Sequence, residues 1–337
     1  NAGIEVKIIT GDNAATTSTI AKQIGFKNPE KVLNGDDLMD MDEATLNSKV
    51  METTIFTRMF PEAKLKIIQA LKANNQIVAM TGDGVNDGPA LKSAHIGIAM
   101  GQRGTDVARE AASLVLMQDD FSSIVAAIRS GRLIARNLQQ ALRYTITVHV
   151  PIILLSLLPV LLGMPMLLLP VHIAFMELVF NPTCSLVFEA EPATKDLMRE
   201  PPVPITEALI TVRGLLHALL IGGLIGTGLM LFNVWLMADG ANIGQVRAAV
   251  FTAMVSANLG AIVLYRREPL LARFSVIGWW TLLLALCSLL VVVCVPPIAT
   301  LFAFEALSLY RWAMTVIGAF LLVAVYRIIR PNSQTSL

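Results

Sequence analysis

The chain has 337 residues, of which 55% are hydrophobic and only 15% charged, with a mean hydropathy of +0.64. Soluble domains carry about 25% charged residues, so this composition excludes a wholly soluble fold and sends much of the chain into lipid. A formal net charge of +1 gives no bulk electrostatic case for nucleic acid.

Charge concentrates in residues 1 to about 140, while 144–326 holds little of it between long apolar runs. Cys184, Cys287 and Cys294 all lie in apolar runs, with no CxxC, and read as small buried side chains. The opening NAGIEVKIITGDN shows no signal peptide and starts as if mid-domain, so the chain is expected to be the C-terminal part of a longer protein.

Taken in order, EVKIIT (5–10) is a predicted strand closing on Gly11-Asp12, followed by a helical NAATTSTIAKQIGF ending at Gly25. TIFTRM (54–59) is a second strand, and EAKLKIIQALKAN after Pro61 has helical period. QIVAMTGDG (76–84), HIGIAM (95–100) and SLVLM (113–117) are further strands. Strands alternating with helices predict a Rossmann-like α/β domain with a parallel sheet, its polar chemistry at the C-terminal strand ends.

The distinctive residues fall there. Thr10-Gly11-Asp12 closes one strand and Thr81-Gly82-Asp83-Gly84-Val85-Asn86-Asp87 another. The glycines let backbone N–H groups approach an anion. Asp83, with Asp87 as a second candidate, offers hard oxygen ligands suited to Mg²⁺. Lys64, on the intervening helix, is a compact positive charge for a phosphoryl group. Hydroxyl, lysine, two carboxylates and the Asn86 amide form an inventory for phosphoryl transfer. An Asp-Gly turn alone often only caps a strand, but two acids, an amide and two glycines within seven positions are far more specific.

TGDGVNDGPALKSAHIGIAMG (81–101) resembles the hinge signature of P-type ion-pumping ATPases, within the haloacid dehalogenase superfamily. The resemblance extends through TGDN, FPEAKLKII and GTDVAREAASLVLMQDDFSSIVAAIRSGR, and so covers residues 1 to about 145. It implies a partial haloacid dehalogenase-type phosphorylation domain over 1–120, using ATP and Mg²⁺. It also implies that Thr10, Gly11 and Asp12 line the phosphoryl site and that Lys64 contacts the phosphoryl group. Asp83 would ligate Mg²⁺, while Asn86 and Asp87 shape the site. The family's nucleophilic aspartate sits in a DKTGT motif that this chain lacks. That aspartate, the actuator and nucleotide-binding domains and the earlier helices are therefore expected in preceding sequence of the same polypeptide, and this fragment alone is expected to be inactive.

DDFSSIVAAIRSGRLIARNLQQALRY (119–144) predicts an amphipathic helix. Phe121, Ile124, Val125 and Ile128 lie on its apolar face, and Arg129, Arg132, Arg136 and Arg143 on its polar side. It runs into apolar sequence unbroken to Pro151 and is read as a stalk over 121–143 that acts as a lever. The alternative is a basic helix that binds acidic headgroups.

A membrane helix needs about 20 apolar residues. Six spans are expected, at about 144–163, 169–189, 209–237, 247–265, 274–295 and 306–326, forming an all-α bundle over 144–330 with a short tail at 331–337. Lys195, Arg199, Arg213, Arg266, Arg267, Arg273, Arg327 and Arg330 then lie on the side of the first domain, and only Arg247 and Arg311 on the other. That bias orients both ends to the cytosol of a multi-pass protein, taken to reside in a bacterial plasma membrane. Trp235, Tyr265, Trp279, Trp280, Trp312 and Tyr326 sit near span ends, as interfacial aromatics do.

Intramembrane ionisable residues default to function. Glu177 lies mid-span, Asn181 shares its face at i+4, and Pro182 deprives the Leu178 carbonyl of its donor. An unwound turn there would present oxygens to a hard cation. His149 in the first span is a candidate ligand or proton carrier, against the blander reading of a packed histidine. Ser256 and Asn258 are read as interhelical hydrogen bonders.

Against the family, soft-metal pumps generally have two spans after the hinge domain, whereas six resembles pumps for calcium, sodium and potassium, protons or magnesium. His149, Met176 and Cys184 are read as packing rather than a copper site. Calcium pumps show a pattern like NVxE in the first span, where this chain has His149-Val150-Pro151-Ile152. Their next span has an Asn and a Thr-Asp pair, where this chain has Glu177 and Phe180-Asn181. The resemblance therefore implies an ATP-driven hard-cation pump, calcium-like, with one cation site completed by an earlier helix. A proton or magnesium/manganese pump is the alternative, and a membrane-tethered phosphatase without transport is the alternative of another class.

Overall fold

The computed structural model describes residues 2–194, 196–203, 208–266 and 275–329, with side chains omitted at 263, 320 and 322–329. Expectations resting on Lys195, Arg267, Arg273 and Arg330, and on the side chains of Tyr326 and Arg327, lie outside the described residues. The chain divides into two compact units, one of 1–131 with 195–207 and one of 132–194 with 208–337.

In the first unit the order is β1 (Ile8–Ile9), α1 (Ala14–Gln23), β2 (Val32–Asn34), α2 (Gly35–Met39), α3 (Glu43–Glu52), β3 (Ile55–Thr57), α4 (Pro61–Ala73) and β4 (Ala79–Gly82). A single 3₁₀ turn at Val85–Asp87 leads to α5 (Gly88–Ser93), β5 (Ile96–Met100), α6 (Asp106–Ala111) and β6 (Leu114–Leu116). The helices start where the sequence supplies caps: the Asn13 side chain accepts from Thr16 N at 2.9 Å, Asp42 from Thr45 N at 3.3 Å, and Pro61 opens α4. All strand pairs are parallel, with Ile8 beside Ile55 and Thr81 beside Ile98.

The expected sheet is corrected in two ways. Among the described residues the strands form two three-stranded sheets, ordered β1-β3-β2 and β4-β5-β6. The second strand, Val32–Asn34, had no apolar alternation to reveal it; its place is fixed by pairing with β3 and by Thr57 Oγ1 donating to Asn34 Oδ1 at 2.6 Å. The apolar faces of α3 and α4 close over Phe56, with Leu46, Val50, Ile67 and Ile68 almost wholly buried.

The helix α7 runs without interruption from Ser122 to Leu161, through Pro151 and Pro159. Its expected apolar face is corrected. Phe121 and Val125 are 58% and 56% exposed, whereas Arg136, assigned to the polar side, is 9% exposed and donates to Thr194 Oγ1 at 2.7 Å. Asn137 is equally buried, its amide donating to the carbonyls of Glu189 and Glu191, both at 3.3 Å. Tertiary partners, not the helical period, decide which face is covered.

In the second unit follow α8 (Pro170–Phe175), a π-helical turn (Met176–Phe180), α9 (Asn181–Glu189), α10 (Val212–Ala238), α11 (Ile243–Tyr265), α12 (Val276–Cys294), α13 (Pro296–Leu301) and α14 (Leu309–Ile329). Four described helical stretches are long and apolar enough to cross a membrane: Ser122–Leu161, Pro170–Glu189, Val212–Ala238 and Val276–Cys294. Helices also form at the two other expected spans, as α11 and α14.

Small residues set how closely α7 and α10 approach. A Cβ on Gly222 would fall 2.6 Å from the Thr147 carbonyl oxygen, and one on Gly226 would fall 3.2 Å from the Pro151 Cα. Backbone therefore meets backbone, as small residues at every fourth position permit. Thr147 Oγ1 adds bonds to the Ala218 carbonyl at 3.3 Å and the Tyr265 hydroxyl at 2.6 Å.

At the other end of the bundle, His172 is fully buried against Phe251, Phe302 and Phe304. Its Nδ1 accepts from Leu169 N at 3.0 Å, so Nε2 carries the hydrogen given to the Phe302 carbonyl at 2.7 Å. This histidine is a packed structural group.

Candidate functional site

The first cluster is built from loops. Thr10 follows β1, and its Oγ1 accepts from Asp12 N at 3.1 Å. The loop is tied to the one after β3, because Arg58 N donates to the Asp12 carbonyl at 2.9 Å and Met59 N to the Thr10 carbonyl at 3.0 Å. Gly11 and Asp12 are thereby left exposed at the strand end.

The loop after β4 wraps around Asp87. A Cβ on Gly82 would lie 2.6 Å from the Asp87 Cβ, so only glycine admits the carboxylate there. Asp87 Oδ1 takes Lys64 Nζ at 2.7 Å, and its Oδ2 accepts from Gly84 N at 3.4 Å. The ion pair is nearly covered, with side chains 14% and 11% exposed. Asp83 and Asn86 project outward, while the Asp83 carbonyl accepts from Thr105 N at 2.9 Å. Thr105 had gone unremarked in the sequence, although its place after Gly104, in a loop before α6, marks a turn.

The structure thus joins Lys64 with Asp87 and holds Asp83 and Asn86 open. Among the described residues no hydrogen bond or ion pair links these to Thr10–Asp12. Among the described residues both motifs end an edge strand, β1 having only β3 beside it and β4 only β5.

The second cluster lies in the membrane unit. Glu177 sits in the π-helical turn, where Asn181 N donates to the Met176 carbonyl five residues back. The expected unwound turn is therefore corrected. The helix stays closed and takes in one extra residue, which relieves the clash of the Pro182 ring with the preceding turn. The Leu178 carbonyl remains in the helical wall, its side chain 78% exposed.

Asn181 Nδ2 donates to Glu177 Oε1 at 3.3 Å, the i+4 contact that the spacing foretold. His149 reaches the other oxygen, Nε2 lying 3.1 Å from Glu177 Oε2, while its Nδ1 lies 2.7 Å from the Thr145 carbonyl. A carbonyl only accepts, so Nδ1 carries a hydrogen. Nε2 then faces the Glu177 carboxylate at hydrogen-bond distance. Asn181 Oδ1 is buried with no partner. Thr145 contributes through its backbone, which residue type could not announce.

The cluster offers one carboxylate, one imidazole and one amide, and the His149 and Glu177 side chains remain 39% and 36% exposed. A hard cation the size of calcium takes 6–8 oxygen ligands. Among the described residues no group of three or more His, Cys, Asp or Glu gathers to hold a metal.

Residues 1–95 match the family described as haloacid dehalogenase-like hydrolase, and 165–331 the family described as cation transporting ATPase, C-terminus. A calcium-transporting ATPase 1 of Bacillus cereus is 32% identical over 98% of this chain and 39% of its own length. A calcium-transporting ATPase of Bacillus subtilis is 34% identical over 94% of this chain and 36% of its own length. The chain belongs to the P-type cation-transporting ATPases. An endoplasmic reticulum-type calcium-transporting ATPase 4 of Arabidopsis thaliana is 38% identical over 69% of this chain and 23% of its own. The chain spans a little over a third of the length of the two bacterial relatives.

Family and helices together make this P-type chain an integral membrane protein with a haloacid dehalogenase-like domain ahead of its helical part.

Proposed function

We propose that this chain supplies the phosphoryl-handling end and the ion-binding helices of an ATP-driven pump that exports a hard cation through an aspartyl phosphate. The observation that carries the reading is the Glu177 cluster: a carboxylate held by His149 and Asn181 in a helix able to cross a membrane, within a chain that also presents Asp83 and Asp87 on the loop after β4 with Lys64 reaching Asp87 from α4.

On this reading the phosphorylated aspartate lies on a strand elsewhere in the polypeptide, and the open edges of β1 and β4 are where a further parallel strand can add. Thr10 Oγ1 and the amide of Gly11 donate to phosphoryl oxygens, while the Asp12 amide holds the Thr10 hydroxyl in place. Lys64, aimed by Asp87, neutralises one of them, and Asn86 orients the loop. The exposed Asp83 carboxylate fits Mg²⁺, an ion that is held by one or two carboxylates plus phosphate and water and that offsets phosphoryl charge. Asp87, committed to Lys64, serves that lysine rather than the metal.

In the membrane, Glu177 Oε1, Oε2 and the unpartnered Asn181 Oδ1 face the cation. Further oxygens come from earlier helices of the whole pump. α7 carries motion between the two ends as one uninterrupted helix. The membrane relations are proposed as cytosolic termini and a bacterial plasma membrane. Calcium is the first cation to test, because the similar proteins are calcium-transporting.

The contact of the His149 imidazole with the Glu177 carboxylate favours a second reading, proton transport at the same site. ATP turnover of the whole pump against a panel of cations and pH values separates the two. Glu177→Gln is expected to abolish stimulation by the transported ion. Unchanged ion dependence in that variant removes the site, and turnover indifferent to every cation and to pH removes the pump.

A further inference from the structure

α11 ends on two neighbouring residues that reach different helices. Its last residue, Tyr265, places its hydroxyl 2.6 Å from Thr147 Oγ1 on α7. Its cap, Arg266, keeps the helical bond from its N to the Ile262 carbonyl at 3.1 Å. The Arg266 side chain turns to Glu191, just beyond α9, with Nε 3.5 Å from Oε1 and both side chains more than nine-tenths buried. α7 carries His149, and the helical stretch that ends with α9 carries Glu177 and Asn181. The tip of α11 therefore holds both helices that build the Glu177 cluster.

Thr147 and His149 are two residues apart, and so about 200° apart around α7. Thr147, fully buried, faces α10 and α11, where its Oγ1 also meets the Ala218 carbonyl at 3.3 Å. His149 faces away from them, toward Glu177 Oε2 at 3.1 Å. A side-chain atom about 6 Å from a helix axis moves about 1 Å for about 10° of rotation. The His149–Glu177 contact thus depends on the rotational phase of α7, and the Tyr265 hydroxyl pins that phase from the opposite side.

We propose that the tip of α11 is a clamp on the ion site. Tyr265 is a positioning residue that acts on His149 through Thr147, and Arg266 anchors the tip beside the helix of Glu177. Neither residue is a ligand. The inference rests on the reading of Glu177 as the ion site.

Tyr265→Phe keeps the ring and removes the hydroxyl. In the whole pump it is expected to raise the ion concentration for half-maximal ATP turnover about fivefold, the factor for one hydrogen bond of about 1 kcal/mol, with maximal turnover kept. In a His149→Gln background the same change is expected to shift nothing. An equal shift in both backgrounds, or none in the wild type, overturns the clamp. A second measurement needs no turnover. In the pump cleared of its native cysteines, a short bifunctional thiol reagent bridges His149→Cys to Glu177→Cys, and Tyr265→Phe is expected to slow the bridging. Arg266→Gln with Glu191→Gln, which removes both charges at once, is expected to slow it as well. Rates unchanged by Tyr265→Phe overturn the proposal, and rates unchanged by the charge pair remove Arg266 from it. The bridging does not depend on transport, so its outcome stands apart from that of Glu177→Gln, which tests the ion site itself.

Discussion

Replacing Lys64 by Met removes the ammonium from Asp87 and keeps the length of the side chain. At 2.7 Å and an effective dielectric of about 20, the attraction lost is on the order of 6 kcal/mol before desolvation is counted. With both side chains nearly covered, breaking such a pair from one side typically costs about 3–5 kcal/mol. The Gly84 amide still faces the carboxylate at 3.4 Å, so the lower end, about 3 kcal/mol, is expected. Asp87→Asn, which preserves the shape that Gly82 accommodates, should cost less, because the freed lysine can swing into water. The double variant should recover much of the Lys64→Met loss. Pulse proteolysis in urea, following cleavage within residues 1–131, reads all three stabilities. A coupling of about 2 kcal/mol is expected. Losses that add to within about 0.5 kcal/mol would show that Asp87 does not hold Lys64, and would refute its assignment as the residue that aims the lysine.

Gly222→Leu should drive α7 from α10, because its Cβ would meet the Thr147 carbonyl at 2.6 Å, whereas Gly223→Leu, with nothing within 4 Å, should be tolerated. Overpacking costs about 1–3 kcal/mol, so thermal unfolding in detergent should drop for the first variant only. Asp119 accepts from Gln102 N at 3.0 Å and Arg103 N at 2.9 Å, and the Gln102 amide leads in holding its carboxyl below the usual value. A lowered folded pKa gives stability that is present above the unfolded pKa and lost as pH falls through the folded one. Asp119→Asn, which tolerates the φ of 53°, should therefore speed hydrogen exchange at Gln102 and Arg103 at neutral pH, with the difference from wild type closing in acid.

The loop around Asp87 was legible, because its geometry is set by consecutive residues. TGDGVND carries its own glycines, and the closeness of Gly82 to Asp87 is a local fact of seven positions. The Glu177–Asn181 bond was legible for the same reason, being one helical turn long. His149 and Glu177 are 28 residues apart, and their contact follows from how two helices pack, which no spacing encodes. Strand Val32–Asn34 is too short for a period to show and exists through its partner β3. The covered face of α7 was not legible, because Arg136 looks solvated until Thr194 is placed beside it.

The π turn at Met176–Phe180 stores a surplus of one residue in the helix that carries Glu177. An α-helix turns about 100° per residue, so moving that surplus a single position along the chain swings the residues it passes by about that angle. Glu177 would leave His149 and face another side of the bundle, while Pro182 and every turn beyond it kept their places. Access to the carboxylate could then alternate by a change of phase within one helix, with no strand of it ever uncoiled.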